Sequence, residues 1–150
     1  MHSILGCLGQ DHRHIDERWS VLRQDMQAGL RQNALKGLNQ IVCQLSCHIE
    51  AEEQILFPAF ERRQGSGSGP TAVMRLEHER IRAALEQMRQ MLETADPLTG
   101  DEAVFSAFSE LMGQHNAKEE HILYPLCDAL LGPEKEGILQ ALKERLGCPA

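Results

Sequence analysis

The feature that most constrains this chain is an eleven-residue pattern that it carries twice. HIEAEEQILFP, starting at His48, and HNAKEEHILYP, starting at His115, agree at the His, both Glu, the Ile, the Leu and the Pro, six of eleven positions. Upstream of each copy stands an acid followed by His, with Ile three residues on: Asp11-His12 with Ile15, and Glu77-His78 with Ile81. His48 follows His12 by 36 residues, and His115 follows His78 by 37. Such self-similarity is the signature of one supersecondary unit used twice. Here the unit reads as a helical hairpin.

The apolar spacing supports helices throughout. Leu5, Leu8, Ile15, Trp19, Leu22, Met26 and Leu30 recur at threes and fours once His12 is counted between Leu8 and Ile15, which is one face of a helix. A second stripe runs Leu35, Leu38, Val42, Leu45, His48, Glu52, Ile55 and Ala59. The third runs Met74, His78, Ile81, Leu85, Met88 and Leu92, and the fourth Phe105, Phe108, Met112, His115, Glu119, Ile122, Leu126 and Leu130. Breakers separate them: Gly29 to Asn33, the QGSGSGP loop from Gln64 to Pro70, and TADPLTGD, where Pro97 and Gly100 punctuate and Asp101 is placed to cap the next helix. After Gly132 and Pro133 a short amphipathic tail carries Ile138, Leu139, Leu142 and Leu146. No strand-like alternation competes. The fold class is all-α: an antiparallel up-down-up-down four-helix bundle with a short C-terminal helix, since short connections make sequential helices neighbours. Pro58 and Pro125, each ten residues after a helical histidine, are expected to bend or end their helices below that layer.

In an antiparallel hairpin, two residues at one height lie equally far from the turn. The midpoint of 12 and 48 is residue 30, that of 48 and 78 is 63, and that of 78 and 115 falls between Asp96 and Pro97; all three lie at breakers. Four interior histidines therefore share one layer, with Glu52 and Glu119 one turn along their own helices. In HxxxE the imidazole and carboxylate share a face, about 5–6 Å apart at Cβ. Burying two carboxylates on an apolar stripe is costly unless a cation compensates, and no Lys or Arg stands beside them on the stripes. The predicted metal ligands are His12, His48, Glu52, His78, His115 and Glu119. Six donors on a duplicated scaffold suit two ions better than one, each with two imidazoles and both glutamates shared. A bridging oxo or hydroxo then leaves an octahedral ion one open position, and mixed imidazole and carboxylate donors favour iron or manganese over tetrahedral zinc.

Composition removes several other classes. Fifteen Lys and Arg against 22 Asp and Glu give a formal charge of −7, and without a basic cluster a nucleic-acid partner is not expected. The N-terminus meets charge before any signal-like apolar stretch is complete, so neither membrane nor export is expected and the location reads as cytoplasmic. Five cysteines at irregular spacing fit reduced thiols, with Cys43 and Cys47 read as small apolar side chains rather than a redox pair.

With those residues in hand, the chain resembles the hemerythrin-like, HHE cation-binding family, in its symmetric H…HxxxE…H…HxxxE subgroup, over about residues 3–130. The resemblance implies one such domain over 1–150, with the bundle at about 3–131 and the tail helix at about 133–146. It also implies that the six residues hold a non-haem diiron centre with both glutamates bridging. Met74 and Arg82 stand one turn from His78, where oxygen-carrying hemerythrins have a second third-helix histidine, and His115 is followed by Glu119 rather than by an aspartate five residues on. The subgroup includes proteins implicated in repair of iron-sulfur centres damaged by nitric oxide. Those have an extra N-terminal cysteine domain, for which Cys7 alone does not substitute.

Three functions are open to such a centre. The first is binding a small diatomic ligand, dioxygen or nitric oxide, for sensing, scavenging or detoxification. The second is an enzyme consuming peroxide or oxygen, with Tyr124 or His14 as general acid; the third is an iron donor or iron sensor acting on a protein partner that the sequence does not identify. Outside the ligand set, Asp11 and Asp16 are candidates to orient an imidazole, and His14 is a further one. Glu53 and Glu120 read as a solvated face or as hydrogen-bonding to neighbouring groups. Tyr124, beside Pro125, reads as a partly exposed aromatic, with a hydrogen bond near the metals as the alternative. His121 is expected to face outward, and His2, at the terminus, to be unstructured.

Overall fold

The computed structural model describes residues 2–65, 69–94 and 101–147. Helix α1 spans Ile4–Gln27 and α2 spans Arg31–Ala51, joined by a turn in which Gly29 takes the left-handed conformation (φ 74°) that a side chain would oppose. Without leaving the helical path, α2 passes through a π turn at Glu52–Leu56 into α3, Phe57–Gln64. The chain then leaves the helix at Gly65, whose φ of 79° forms the left-handed cap. Helix α4 covers Pro70–Thr94 and α5 covers Asp101–Lys118; a second π turn at Glu119–Leu123 leads into α6, Tyr124–Leu130. A single 3-10 turn at Gly132–Glu134 precedes α7, Lys135–Leu146. The predicted turn around residue 30 is thus observed, Asp101 is itself the first helical residue of α5, and residues 66–68 and 95–100 of the two other predicted breaks lie outside the described residues.

Four rods result, α1, α2–α3, α4 and α5–α6, arranged as the expected all-α bundle with α7 as the short C-terminal helix. Neighbours meet around the ring: α1 with α2, α2 with α4, α4 with α5, and α6 back onto α1. Every member of the third predicted stripe is buried. The core is in two parts. One holds Ile15, Leu22, Leu38, Ile41, Leu45, Ile81, Leu85, Met88, Phe105 and Phe108; the other holds Ile4, Leu8, Leu56, Phe57, Phe60, Met74, Leu123, Tyr124, Leu139 and Leu142. A layer of buried polar side chains separates them, and α7 covers the second part through Leu139 and Leu142.

The prolines do not end the helices. In each π turn the hydrogen bond closes five residues back, from Phe57 N–H to the Glu52 carbonyl and from Tyr124 N–H to the Glu119 carbonyl. Proline withdraws one donor from the helical ladder and crowds the carbonyl four residues back. Pro58 and Pro125 fall just after turns that are already widened, so both rods continue through them. The extra residue has a second effect, setting everything after it back by about 100° around the axis. The expected stripe positions Ile55, Ile122, Leu126 and Leu130 are therefore corrected by one residue. Leu56, Leu123, Cys127 and Leu131 are the buried ones, while Ile122, Leu126 and Leu130 are exposed. At the first helix, Ile4 takes the buried place expected of Leu5, and Leu30 is exposed in the turn.

Candidate metal centre

All six predicted ligands lie in the polar layer, and all are buried. His12 comes from the middle of α1, His48 from the last turn of α2, His78 from α4 and His115 from the last turn of α5. Glu52 and Glu119 are the first residues of the two π turns. Their side-chain donors converge in two overlapping groups whose ligand atoms lie within 4.8 Å of one another: Glu52, His78, His115 and Glu119 in one, and His12, His48 and Glu119 in the other.

The carboxylates are divided between the halves. Glu119 turns Oε1 to within 3.1 Å of His12 Nε2 and Oε2 to within 3.4 Å of His115 Nε2. Glu52 places Oε1 3.1 Å from His78 Nε2 and Oε2 3.6 Å from His48 Nε2. Each glutamate thus faces both histidine pairs, one oxygen to each.

Behind the imidazoles stand four more carboxylates. Nδ1 of His12 lies 2.7 Å from Glu120 Oε2, that of His48 2.8 Å from Asp11 Oδ2, that of His78 2.7 Å from Glu53 Oε2, and that of His115 2.7 Å from Glu77 Oε1. The pattern repeats with the sequence. The acid before each lone histidine holds the histidine of the following HxxxE, and the acid after each interior glutamate holds the lone histidine of the other hairpin or the next helix. An Nδ1–H donated outward leaves the Nε2 lone pair facing the centre, the tautomer that a metal requires. Asp11 therefore has the orienting role foreseen for it. Asp16 does not, His14 and His121 point to solvent, and His2 is exposed ahead of the first helix. Glu53 and Glu120 are bonded to imidazoles rather than simply solvated.

The electrostatics are those of a cation site. Burial alone would push the His78 imidazole down, but the neighbouring carboxylates of Glu119 and Glu52 outweigh it and raise its pKa from 6.5 to about 10. His48 is likewise held well above its ordinary value, burial being outweighed by the charge of Glu52 and the bond to Asp11, and His115 is raised by Glu119 against its own burial. Conversely, burial would raise Glu119, but its imidazole and Glu52 contacts hold it well below the usual carboxylate range. Asp11, through His48, and Glu77, through Lys118 and His115, are lowered against the same opposing effect of burial. The cluster thus favours positive charge on its imidazoles and negative charge on its carboxylates.

The six residues also fit a metal by what they leave unpaired. Among the described residues, buried side-chain atoms without a hydrogen-bond partner include Glu52 Oε1, His78 Nε2 and Glu119 Oε2, all facing the centre. Buried polar atoms are ordinarily satisfied, and three convergent orphans of Lewis-base type match a cation's needs.

Tyr124 belongs to this centre too, which corrects its reading as a partly exposed aromatic. It is 0% exposed, and its hydroxyl lies 2.6 Å from Glu52 Oε2 and 2.9 Å from Glu119 Oε1. Burial and the two carboxylate charges push its phenol well above the ordinary range, so it is a donor. Its helix phase after the second π turn aims it inward, a signal that α-helical spacing hides. On the α1–α5 side, a cleft of about 300 Å³ lined by Ile15, Trp19, Ile41, Phe108 and Met112 reaches Glu120, the partner of His12.

Comparison with known proteins agrees with this geometry. The chain matches the family model of the hemerythrin HHE cation binding domain over residues 4–127. It belongs to the hemerythrin HHE family. Two similar relatives are both described as iron-sulfur cluster repair protein YtfE. The protein of Yersinia pseudotuberculosis serotype IB (strain PB1/+) is 33% identical over 96 residues, which cover 59% of this chain and 43% of the relative. That of Yersinia pestis (strain Pestoides F) is 32% identical over 96 residues, with the same shares. The chain thus spans less than half the length of these curated relatives. No solved structure matches it. Among the described residues no helix is long and apolar enough to cross a membrane.

Proposed function

We propose that this hemerythrin HHE chain, a single domain over residues 1–150, is a non-haem diiron protein that binds a small diatomic ligand, dioxygen or nitric oxide, for sensing, scavenging or detoxification. His12, His48, His78, His115, Glu52 and Glu119 would hold the irons, with both glutamates bridging. One observation carries the two-ion count: each buried glutamate offers one oxygen to each histidine pair, which is the arrangement of a bridge rather than of a chelate on one ion. Two ferrous ions there would supply two electrons and an open position for a ligand.

The remaining chemistry belongs to the chain's own groups. Asp11, Glu53, Glu77 and Glu120 fix the four imidazole tautomers and strengthen the Nε2 donors. The two apolar core halves exclude bulk water from above and below the layer. The cleft beside Glu120 has apolar walls in Ile15, Trp19 and Met112 and polar ones in Asp16, Ser109 and Asn116, and it ends at the carboxylate that holds His12.

A second reading is favoured by the relatives, which are described as iron-sulfur cluster repair proteins: an iron donor to a protein partner. Metal analysis with absorption spectra, in air and after anaerobic reduction, tests the main reading. About two irons per chain and a reversible spectral change with dioxygen or nitric oxide support it; rapid loss of iron to a mild chelator favours donation, and turnover of peroxide favours an enzyme. Stoichiometric zinc, or no metal in well-folded protein, overturns the diiron proposal.

A further inference from the structure

The two halves of the centre carry the same ligand types, and the aromatic residue stacked on the layer is where they differ in a group that reaches the ligands. The tenth residue of the repeated pattern is Phe57 in the first copy and Tyr124 in the second. Both are 0% exposed, and both rings stack on an imidazole of the layer, Phe57 on His78 at 5.8 Å and Tyr124 on His12 at 5.7 Å between centroids. They differ by one hydroxyl. That oxygen touches every inward donor of one half: Glu52 Oε2 at 2.6 Å, Glu119 Oε1 at 2.9 Å, and Nε2 of both His12 and His48 at 3.3 Å. The centre's unpartnered atoms, Glu52 Oε1, His78 Nε2 and Glu119 Oε2, all belong to the other half.

A duplicated scaffold with identical ligands would give two equivalent positions. We propose that the Tyr124 hydroxyl makes them inequivalent: it fills coordination space at the His12/His48 position and leaves an exogenous ligand to the His78/His115 position. The inference rests on the diiron reading. Its basis is spatial, because an oxygen already within contact of four donors leaves no room there for a further diatomic molecule, whereas the matching place beside His78 and His115 is bordered by the apolar ring of Phe57. Tyr124 is a specificity-determining residue in this scheme, deciding which ion is open.

The test uses the full chain reconstituted anaerobically with ferrous iron enriched in the Mössbauer isotope, read by Mössbauer spectroscopy before and after one equivalent of nitric oxide. The wild-type protein should show two quadrupole doublets of equal area, of which nitric oxide shifts one. Tyr124→Phe should lose the distinction and give one doublet. Should that variant not fold, Phe57→Tyr serves instead, since a hydroxyl in both halves should also merge the doublets and, by closing both positions, abolish the shift with nitric oxide. Two irons in one environment in the wild type, or two environments that persist in Tyr124→Phe and in Phe57→Tyr, overturn the assignment while leaving the diiron reading intact. Fewer than two irons per wild-type chain overturns both.

Discussion

The four carboxylates behind the imidazoles allow a graded prediction. Removing the charge of one, as in Asp11→Asn, Glu77→Gln, Glu53→Gln or Glu120→Gln, keeps the size of the side chain but weakens its hold on Nδ1–H. Loss of such an outer partner ordinarily costs 10–100-fold in metal affinity, about 1.4–2.7 kcal/mol. The structure separates the four. The side chains of Asp11 and Glu77 are 9% and 8% exposed, whereas those of Glu53 and Glu120 are 21% and 30% exposed. A carboxylate nearer water is screened and its loss more easily replaced by a water molecule. Asp11→Asn and Glu77→Gln should therefore fall toward the 100-fold end of that range, and Glu53→Gln and Glu120→Gln toward the 10-fold end. Anaerobic competition for ferrous iron against a chelator of known affinity measures all four. Equal affinities for the variants and the wild type, or larger losses for the two exposed positions, would refute the reasoning that these bonds hold the ligands in place.

The π turns predict an unusual contrast between adjacent residues. Leu123, 1% exposed, should cost about 3 kcal/mol when cut to alanine, while Ile122, 55% exposed, should cost less than about 1 kcal/mol; chemical denaturation that finds the two equal would contradict the observed helix phase. Metal removal should show a definite pH dependence. His78, raised from 6.5 to about 10, stabilises the metal-free fold fully below pH 6.5 and loses that contribution as pH rises through about 10, with His48 and His115 in the same direction. The lowered Asp11, Glu77 and Glu119 contribute above their ordinary values of 3.8 and 4.5 and lose their contribution on acidification. The melting temperature of chelator-treated protein should accordingly fall from pH 6.5 to 9, while that of the iron-loaded protein, whose imidazoles are already deprotonated, should fall less; a flat metal-free profile would count against the raised histidines. Finally, His14→Ala and His121→Ala, which alter exposed side chains, should leave iron content per chain unchanged, as measured by elemental analysis.

Much of this molecule is legible in its sequence because the same residues satisfy two independent constraints. His12, His48, His78 and His115 keep the apolar stripes continuous and also lie equidistant from the turns, so helical period and hairpin geometry select one set. Glu52 and Glu119 follow from the cost of burying charge. What spacing could not show lies beyond those glutamates. A π turn has no marker in residue propensity, and an α-helical count carried through it assigns Ile55, Ile122, Leu126 and Leu130 to places that Leu56, Leu123, Cys127 and Leu131 take. Tyr124 was obscured for the same reason, since an inward-facing phenol one residue out of phase looks like a rim aromatic. For Glu53 and Glu120 the sequence leaves a solvated face and a hydrogen bond to a neighbouring group open, and the structure selects the second, because a glutamate is long enough to reach an imidazole on the neighbouring rod.

Both hairpins carry the widened turn at the same place, beginning at an interior glutamate and ending two residues before a proline. Because both rods widen at the same step, the residues beyond each glutamate turn by the same angle, and the tenth residue of each copy is brought to face the layer from below. The two π turns therefore do for the aromatic pair what the α-helical period does for the histidines: they set Phe57 and Tyr124 at equivalent places, so that one hydroxyl is enough to tell the halves apart.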